Sequence, residues 1–417
     1  MTAEIGAVDL REVTAADVYL GDEIVARLER TAHNDDISFA YTGSPTDAGA
    51  SVRDRSVSWS LLVTGDYPLI TGGGAVPPFF AGLLPEGIRL GVVTSSTKTS
   101  ADDHLTLLLA IGADTIGNVR VIPAGSAPPE QSAMFRPERD TDFRAVFDRL
   151  IGSVQADPVG LAGVQPKVSA AMWSTPTTTT TSGPAILKLN PPTGFPRLVE
   201  NEHFFMQMAA GSGLRVPKTW LLYDADQRAA LLVERFDRHD NVRIAQEDAC
   251  QVTGLYPASK YRIKTETAIS ALADACQRGG GSRAAAVLEL LKTVVFSWLI
   301  GNGDLHGKNM SIYGPKGLWQ PSPAYDLLTT QPYSGWRDPM ALTLYGRANR
   351  LDRAHFLDAA ARLGLRDRAA ARMIDDVAEA AHGWIDRCAE IGFTPRQTEL
   401  LADMLSARIT SLQRPAL

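Results

Sequence analysis

The sequence predicts an α+β fold in three consecutive parts: an N-terminal α/β domain over residues 1–140, a β-rich lobe over 141–245 and a helical lobe over 246–417. Three observations predict it. Near the N-terminus apolar residues alternate in "DVYLGDEIVARLER", the period of half-buried strands. Two further strand–turn–strand patterns follow between 160 and 238, and beyond about 265 the chain turns mainly helical. With 417 residues, the chain also exceeds what one hydrophobic core ordinarily organises.

Taken in order, Val18, Leu20, Ile24, Ala26 and Leu28 mark two strands joined by a Gly-Asp turn. "PPFFAGLLPEGIRLGVV" reads as a loop with a short helix, and "HLTLLLAIGADTIGNVRVIP" as helix, glycine turn and strand. Residues 123–140, rich in Pro, Ser and charge, form a boundary. "GLAGVQPKVSAAMW" is a glycine-containing turn entering a strand, the five threonines 177–181 form the exposed tip of a hairpin, and "AILKLN" is the returning strand. "LVENEHFFMQMAAGSGL" reads as a helix closed by glycine, and "TWLLYDADQRAALLVERFDR" as a second hairpin about Asp-Ala-Asp. Near the C-terminus Thr394, Pro395 and Gln397 have the spacing of a helix N-cap, first-turn proline and capping box.

Composition narrows the function. The chain is 45% hydrophobic and 21% charged, that of an ordinary globular protein. A formal net charge of -6 argues against a dedicated nucleic-acid surface. Cys250, Cys276 and Cys388 are few, odd in number and far apart, which gives neither a disulfide framework nor a metal spacing and suits a reducing cytoplasm. The start lacks a basic segment followed by an apolar one, and no apolar run approaches a membrane span, so the expectation is a cytoplasmic protein with no membrane partner.

The chemistry concentrates in "VVFSWLIGNGDLHGKNMSIYG". An apolar helical run stops at Gly-Asn-Gly, and Asp304 and Asn309 follow with the D-x-x-x-x-N spacing of a protein-kinase catalytic loop. Asp326 stands seventeen residues beyond Asn309, after a short hairpin pattern. Upstream, Lys188 lies in the strand-like "AILKLN", with Glu200 or Glu202 on the next helix as its partner, Glu202 preferred. Phosphoryl transfer needs this set: a carboxylate to orient the attacking hydroxyl, oxygen ligands for Mg²⁺ and a cation on the phosphates of ATP. Each residue alone has a plainer reading, as a turn residue, a sheet-edge lysine or a helix cap. In this order, on a β-rich lobe followed by a helical one, they predict a protein-kinase-like bilobal core.

The chain resembles the HipA family, kinase toxins of bacterial toxin–antitoxin modules. The resemblance is carried by "LAGVQPKVS", "ILKLN", "LLVERFDR", "QEDACQVTG" and "FSWLIGNGDLHGKNMSIY" with "SPAYDLLTT", and at the N-terminus by "VYLGDEIVARLE", "FFAGLLPEG" and "LLLAIGADTIGNVRVIP". It covers residues 16 to 410 or so. It implies a kinase-like core with an appended N-terminal domain that uses ATP and Mg²⁺ to phosphorylate Ser or Thr on a protein, family targets often being aminoacyl-tRNA synthetases. It implies that Asp304 is the general base, that Asn309 and Asp326 hold Mg²⁺, and that Lys188 binds the phosphates. Ala162, Gly163, Val164, Gln165, Pro166 and Lys167 would form the phosphate-facing loop. Glu234, Arg235 and Phe236 would form the hinge that meets adenine through backbone groups, with His306 and Tyr325 also at the nucleotide site. Glu247 and Asp248 of "QEDACQ" are expected to pair with a basic loop and hold the lobes in register. The implied partner is a small HipB-like helix-turn-helix antitoxin, through which operator DNA would be contacted indirectly.

Two positions depart from the family pattern. Gly160 stands where the family carries a serine whose autophosphorylation expels the phosphate loop, so that route of self-inactivation does not carry over. Pro166 removes one backbone donor from the loop and is expected to alter ATP affinity. Two other functions remain open. "GDLHGKN" is also similar to the catalytic loop of aminoglycoside and choline phosphotransferases, with Asn302 at the place of their first histidine. A catalytically silent kinase fold serving as co-repressor with an antitoxin is the alternative from another class.

Overall fold

The computed structural model describes residues 9–32, 36–43, 51–129, 141–151, 172–179, 183–191, 194–240 and 242–413. The fold is α+β. Five antiparallel strands, β1 (Ala15–Leu20), β2 (Glu23–Arg30), β3 (Ile37–Tyr41), β4 (Leu69–Thr71) and β5 (Val119–Pro123), form an N-terminal sheet in the order β4-β3-β2-β1-β5. Gly21 takes the left-handed φ of 63° that the β1–β2 turn requires. A register shift between Val18 and Tyr19 breaks the expected alternation. Val18, Ala26 and Leu28 before the shift are fully buried, whereas Ile24 beyond it is exposed. Helices Pro78–Leu83 and His104–Ile111 cover one face and pack Phe80, Leu105, Leu107 and Leu108 against Phe39 and Leu28.

The second sheet is the β-rich lobe: β6 (Trp173–Thr179), β7 (Gly183–Leu189), β8 (Thr219–Tyr223) and β9 (Ala229–Glu234), antiparallel in the order β6-β7-β9-β8. Three threonines expected at the hairpin tip, 177–179, instead extend β6 opposite Ala185, Pro184 and Gly183, and Thr177 is buried. β-branched side chains fit a pleated, half-buried surface, and that preference outweighs the polar hydroxyl. One face of the sheet packs Leu187 and Leu189 with Phe143 and Val146 of a helix at Phe143–Ile151, and with Ile88 and Val92 of the N-terminal domain. The period of two turns Lys188 to the opposite face, where helix Leu198–Gly211 lies.

The helical lobe is built on Thr265–Arg278, Arg283–Ile300, Arg353–Arg362, Asp367–His382 and Pro395–Gln413. The Arg283–Ile300 helix is buried over most of its C-terminal half. Ser282 caps its start by accepting the Ala285 N–H, and Gly301, at φ 71°, ends it. Thr394 and Gln397 make the expected reciprocal cap on the last helix. Strands Gln246–Asp248, Ser311–Tyr313 and Gln320–Pro321 form a small sheet beside the catalytic segment.

"QEDACQ" proves to join the N-terminal domain to the helical lobe. Glu247, 1% exposed, accepts hydrogen bonds from Ser58 Oγ (2.5 Å) and the Trp59 N–H, and pairs with Arg53 at 2.8 Å. Asp248 makes a capping box with Gln251, whose Nε2 donates to Phe79 O. All three cysteines are buried and unpaired with one another. No helix among the described residues is long and apolar enough to cross a membrane.

Candidate active site

Five of the residues singled out in the sequence are brought together in two linked sets, Lys188 with Glu202 and Asp326, and Asp304 with Asn309. In the first, Lys188 is held between two carboxylates. Its Nζ donates to Glu202 Oε1 at 2.7 Å and to Asp326 Oδ1. Burial opposes its charge, but Asp326 and Glu202 outweigh burial and raise its pKa. Glu202 is fully buried, and burial pushes its carboxyl up to about 7 against the pull of Lys188. Its second oxygen, Oε2, has no hydrogen-bond partner among the described residues. Glu200, the alternative partner, faces Arg197 (2.9 Å) and Asn190 (3.1 Å) instead. Helical geometry explains the division, because residues two apart on a helix point to different faces.

The second set is Asp304 with Asn309. The chain leaves the buried helix at Gly301 and folds back through the single turn Gly307–Asn309, which brings Asn309 Nδ2 to the Asp304 backbone oxygen at 2.9 Å. An acid and an amide five apart therefore close one tight loop. Asn302 connects the sets: its Oδ1 accepts the Asp304 N–H (2.9 Å) and its Nδ2 donates to Asp326 O (3.4 Å). Asp326 adopts φ 54°, a left-handed conformation that costs a non-glycine residue of order 1 kcal/mol or more and is a recurrent mark of functional positions.

Tyr261, which the spacing argument missed, donates its hydroxyl to Asp304 Oδ1 at 2.8 Å. Burial, then Asp304, raises the tyrosine's pKa, so it remains a donor. No local sequence signal marks it, since the contact spans 43 residues. His306 packs edge-on against the Tyr261 ring, with centroids 5.1 Å apart. Burial takes its pKa down to about 4, so the ring is neutral, and its Nδ1 has no hydrogen-bond partner among the described residues.

The remaining expected positions are distributed as follows. Tyr325 donates to Lys308 O (2.8 Å) and Ser311 Oγ (3.2 Å) and lies 5.9 Å from the Phe236 ring, which also meets Tyr313. Phe236 thus leads from the end of β9 into the helical lobe. The Glu234 N–H bonds Lys218 O and the Arg235 N–H bonds Pro184 O. The Arg235 side chain is buried and points to the N-terminal domain, pairing with Asp237 and with Asp114 at 3.0 Å. Arg238 and Arg243 join the same Asp114. Ala162 to Lys167, the expected phosphate-facing loop, lie outside the described residues, as does Gly160.

The donor set suits magnesium nucleotide. Mg²⁺ is characteristically held by one or two protein oxygens while phosphate and water complete the octahedron. Asp326 offers a carboxylate whose Oδ1 faces Lys188, and Asn309, its nitrogen engaged, offers an amide oxygen. No cluster of three or more His, Cys, Asp or Glu able to hold a metal ion occurs among the described residues.

Comparison with known proteins bears on the family and the fold. The model of the HipA-like C-terminal domain matches residues 159–385, and that of the HipA N-terminal domain matches 16–122. Y4mE of Sinorhizobium fredii is 28% identical over 432 aligned positions, covering 95% of this chain and 98% of that protein. The serine/threonine-protein kinase toxin HipA of Shewanella oneidensis is 26% identical over 356 positions, covering 79% of this chain and 78% of that protein. The solved structure of a Shewanella oneidensis HipA, in complex with HipB and operator DNA, superposes with a TM-score of 0.77 at 21% identity and covers 95% of this chain and 97% of that one. With both domain models matched in order and the fold shared end to end, this chain belongs to the HipA family.

Proposed function

We propose that the protein is an ATP- and Mg²⁺-dependent serine/threonine protein kinase of HipA type, the toxin of a toxin–antitoxin module. The observation that carries the proposal is Lys188 bridging Glu202 and Asp326 while Asn302 joins Asp326 to the Asp304–Asn309 loop. Lys188 orients the α- and β-phosphates. Asp326 and Asn309 hold the metal, which supplies neutralisation of phosphate charge when bound. Asp304, fixed by Tyr261, takes the hydroxyl proton of the acceptor Ser or Thr. The 234–236 segment with Tyr325 receives adenine, and buried His306 braces Tyr261. The proposed substrate is a component of translation, such as an aminoacyl-tRNA synthetase, and the proposed partner a HipB-like antitoxin. Support for that partner is the fold shared with a HipA crystallised with HipB and operator DNA.

The test is transfer of labelled γ-phosphate from Mg-ATP into a bacterial lysate, with the Asp304→Asn variant alongside. A discrete labelled protein that disappears with the variant supports the proposal. ATP turnover stimulated by a small hydroxyl acceptor, without labelled protein, favours a small-molecule phosphotransferase. The absence of both signals overturns the kinase assignment and leaves a fold kept for binding.

A further inference from the structure

We infer that the N-terminal domain contributes a positioning residue to the phosphoryl-transfer site: Glu86 fixes the 304–309 loop by holding Lys308. The inference rests on the kinase function proposed above. Helix Pro78–Leu83 ends, Pro85 turns the chain, and Glu86 stands immediately before helix Gly87–Thr97. From there its carboxylate reaches into the helical lobe. Oε1 lies 2.9 Å from Lys308 Nζ, and Oε2 accepts a hydrogen bond from Lys260 Nζ. Lys308 Nζ also donates to Gly82 O at 3.0 Å. Its ammonium is therefore held by an ion pair with Glu86 and a hydrogen bond to Gly82, from the helix end and the turn that follows it.

Both lysines belong to segments that touch Asp304. Lys308 directly precedes Asn309, and its backbone oxygen receives the Tyr325 hydroxyl. Lys260 O accepts the Gly307 N–H at 2.9 Å, and its neighbour Tyr261 holds the Asp304 carboxylate. One carboxylate thus ties down the loop bearing Asp304 and Asn309 and the strap that buttresses it. Burial opposes the charge on Glu86, but Lys308 and Lys260 pull its carboxyl down to about 2, so the tie persists at working pH. Without Glu86, two ammonium groups face each other beside the catalytic loop. The loop then keeps only the Gly82 carbonyl as its cross-domain contact, and its acid and amide lose registration with the reacting groups. Glu86 is a positioning residue, acting through Lys308.

The test uses the full chain and four variants: Glu86→Gln, Glu86→Asp, Lys308→Met and the Glu86→Gln/Lys308→Met double. The readouts are kcat for phosphoryl transfer, the Kd of a fluorescent ATP analogue and the thermal midpoint. Glu86→Gln is expected to lower kcat about 10- to 100-fold with nucleotide affinity unchanged, the scale of a displaced catalytic group. Glu86→Asp recovers part of that loss. On the Lys308→Met background the Glu86→Gln change costs less than in the wild type, because only the Lys260 contact is left to lose. Wild-type kcat in Glu86→Gln overturns the inference, and so does a loss that adds in full to that of Lys308→Met. Should Glu86→Gln fail to fold, an unchanged kcat in Lys308→Met overturns it equally. Absence of transfer by the wild-type chain would overturn the kinase function itself, whereas an active wild type with an inert Glu86 change overturns only the positioning role.

Discussion

Removing the Glu247 carboxylate should destabilise the protein far more than removing the whole ion pair to which it belongs. Glu247 is enclosed and accepts from Ser58, Trp59 and Arg53. Arg53 rests on the rings of Trp59 (4.8 Å) and Trp319 (4.5 Å), and Arg278 lies over the same Trp59 ring. In Glu247→Gln the amide oxygen retains part of the hydrogen bonding, but Arg53 is left buried, without its carboxylate and near a second guanidinium. Removing one partner of a buried pair costs about 3–5 kcal/mol. The intact pair is worth much less than that. Burial raises the Glu247 pKa despite Arg53, so ionising this carboxyl inside the fold is less favourable than in water. A Glu247→Gln/Arg53→Met double variant removes both charges while keeping an apolar stem on the tryptophans, and should lie within about 1–2 kcal/mol of wild type. Urea midpoints at constant m give the ordering. Hydrogen exchange over residues 56–61 locates the loss at the domain junction. A double variant as unstable as the single one would refute the stranded-charge argument.

Four further outcomes are expected. Asp304→Asn should lower kcat by about 10²- to 10⁴-fold, the range for a lost acid–base group, and Asp326→Ala should abolish Mg²⁺-dependent ATP binding; isothermal titration with unchanged Mg-ATP affinity would remove Asp326 from the metal site. Glu86, held near 2 in the fold against an ordinary carboxyl value of 4.5, contributes stability that is fully present above pH 4.5 and fades as pH falls toward 2. The stability gap between wild type and Glu86→Gln should therefore be flat at neutral pH and close on acidification, as denaturant titrations at several pH values would record. Gly301→Ala should cost about 1–3 kcal/mol, because alanine disfavours φ 71° and its Cβ would come within 2.6 Å of Gln331 Cγ; thermal unfolding measures it.

What could be read from the sequence was local. The Lys188 strand was legible because alternation sets Leu187 and Leu189 against the core and leaves Lys188 for the other face. The Asp304–Asn309 loop was legible because a short turn fixes the distance between residues five apart. Helix Phe143–Ile151 was readable but overlooked: Phe143, Val146, Phe147 and Leu150 have helical spacing, yet directly follow a stretch dominated by Pro, Ser and charge. The contacts joining the domains were not legible in the same way. Arg53 and Glu247 are 194 residues apart, as are charges of either sign throughout a chain with 41 basic and 47 acidic residues, so no spacing singles out the true partners. "QEDACQ" illustrates the difference. Its Asp248–Gln251 cap follows from a three-residue spacing, but where Glu247 points depends on how two separately formed cores meet. The same holds for Arg235: the segment forming the end of β9 was recognisable, while its burial against Asp114 follows only once the N-terminal sheet is docked. The cross-domain pairs converge on the catalytic loop at Lys308 and on the hinge at Arg235. Replacing Arg235 by Met should therefore loosen the N-terminal domain while β9 itself, paired on both sides by β7 and β8, stays protected from hydrogen exchange.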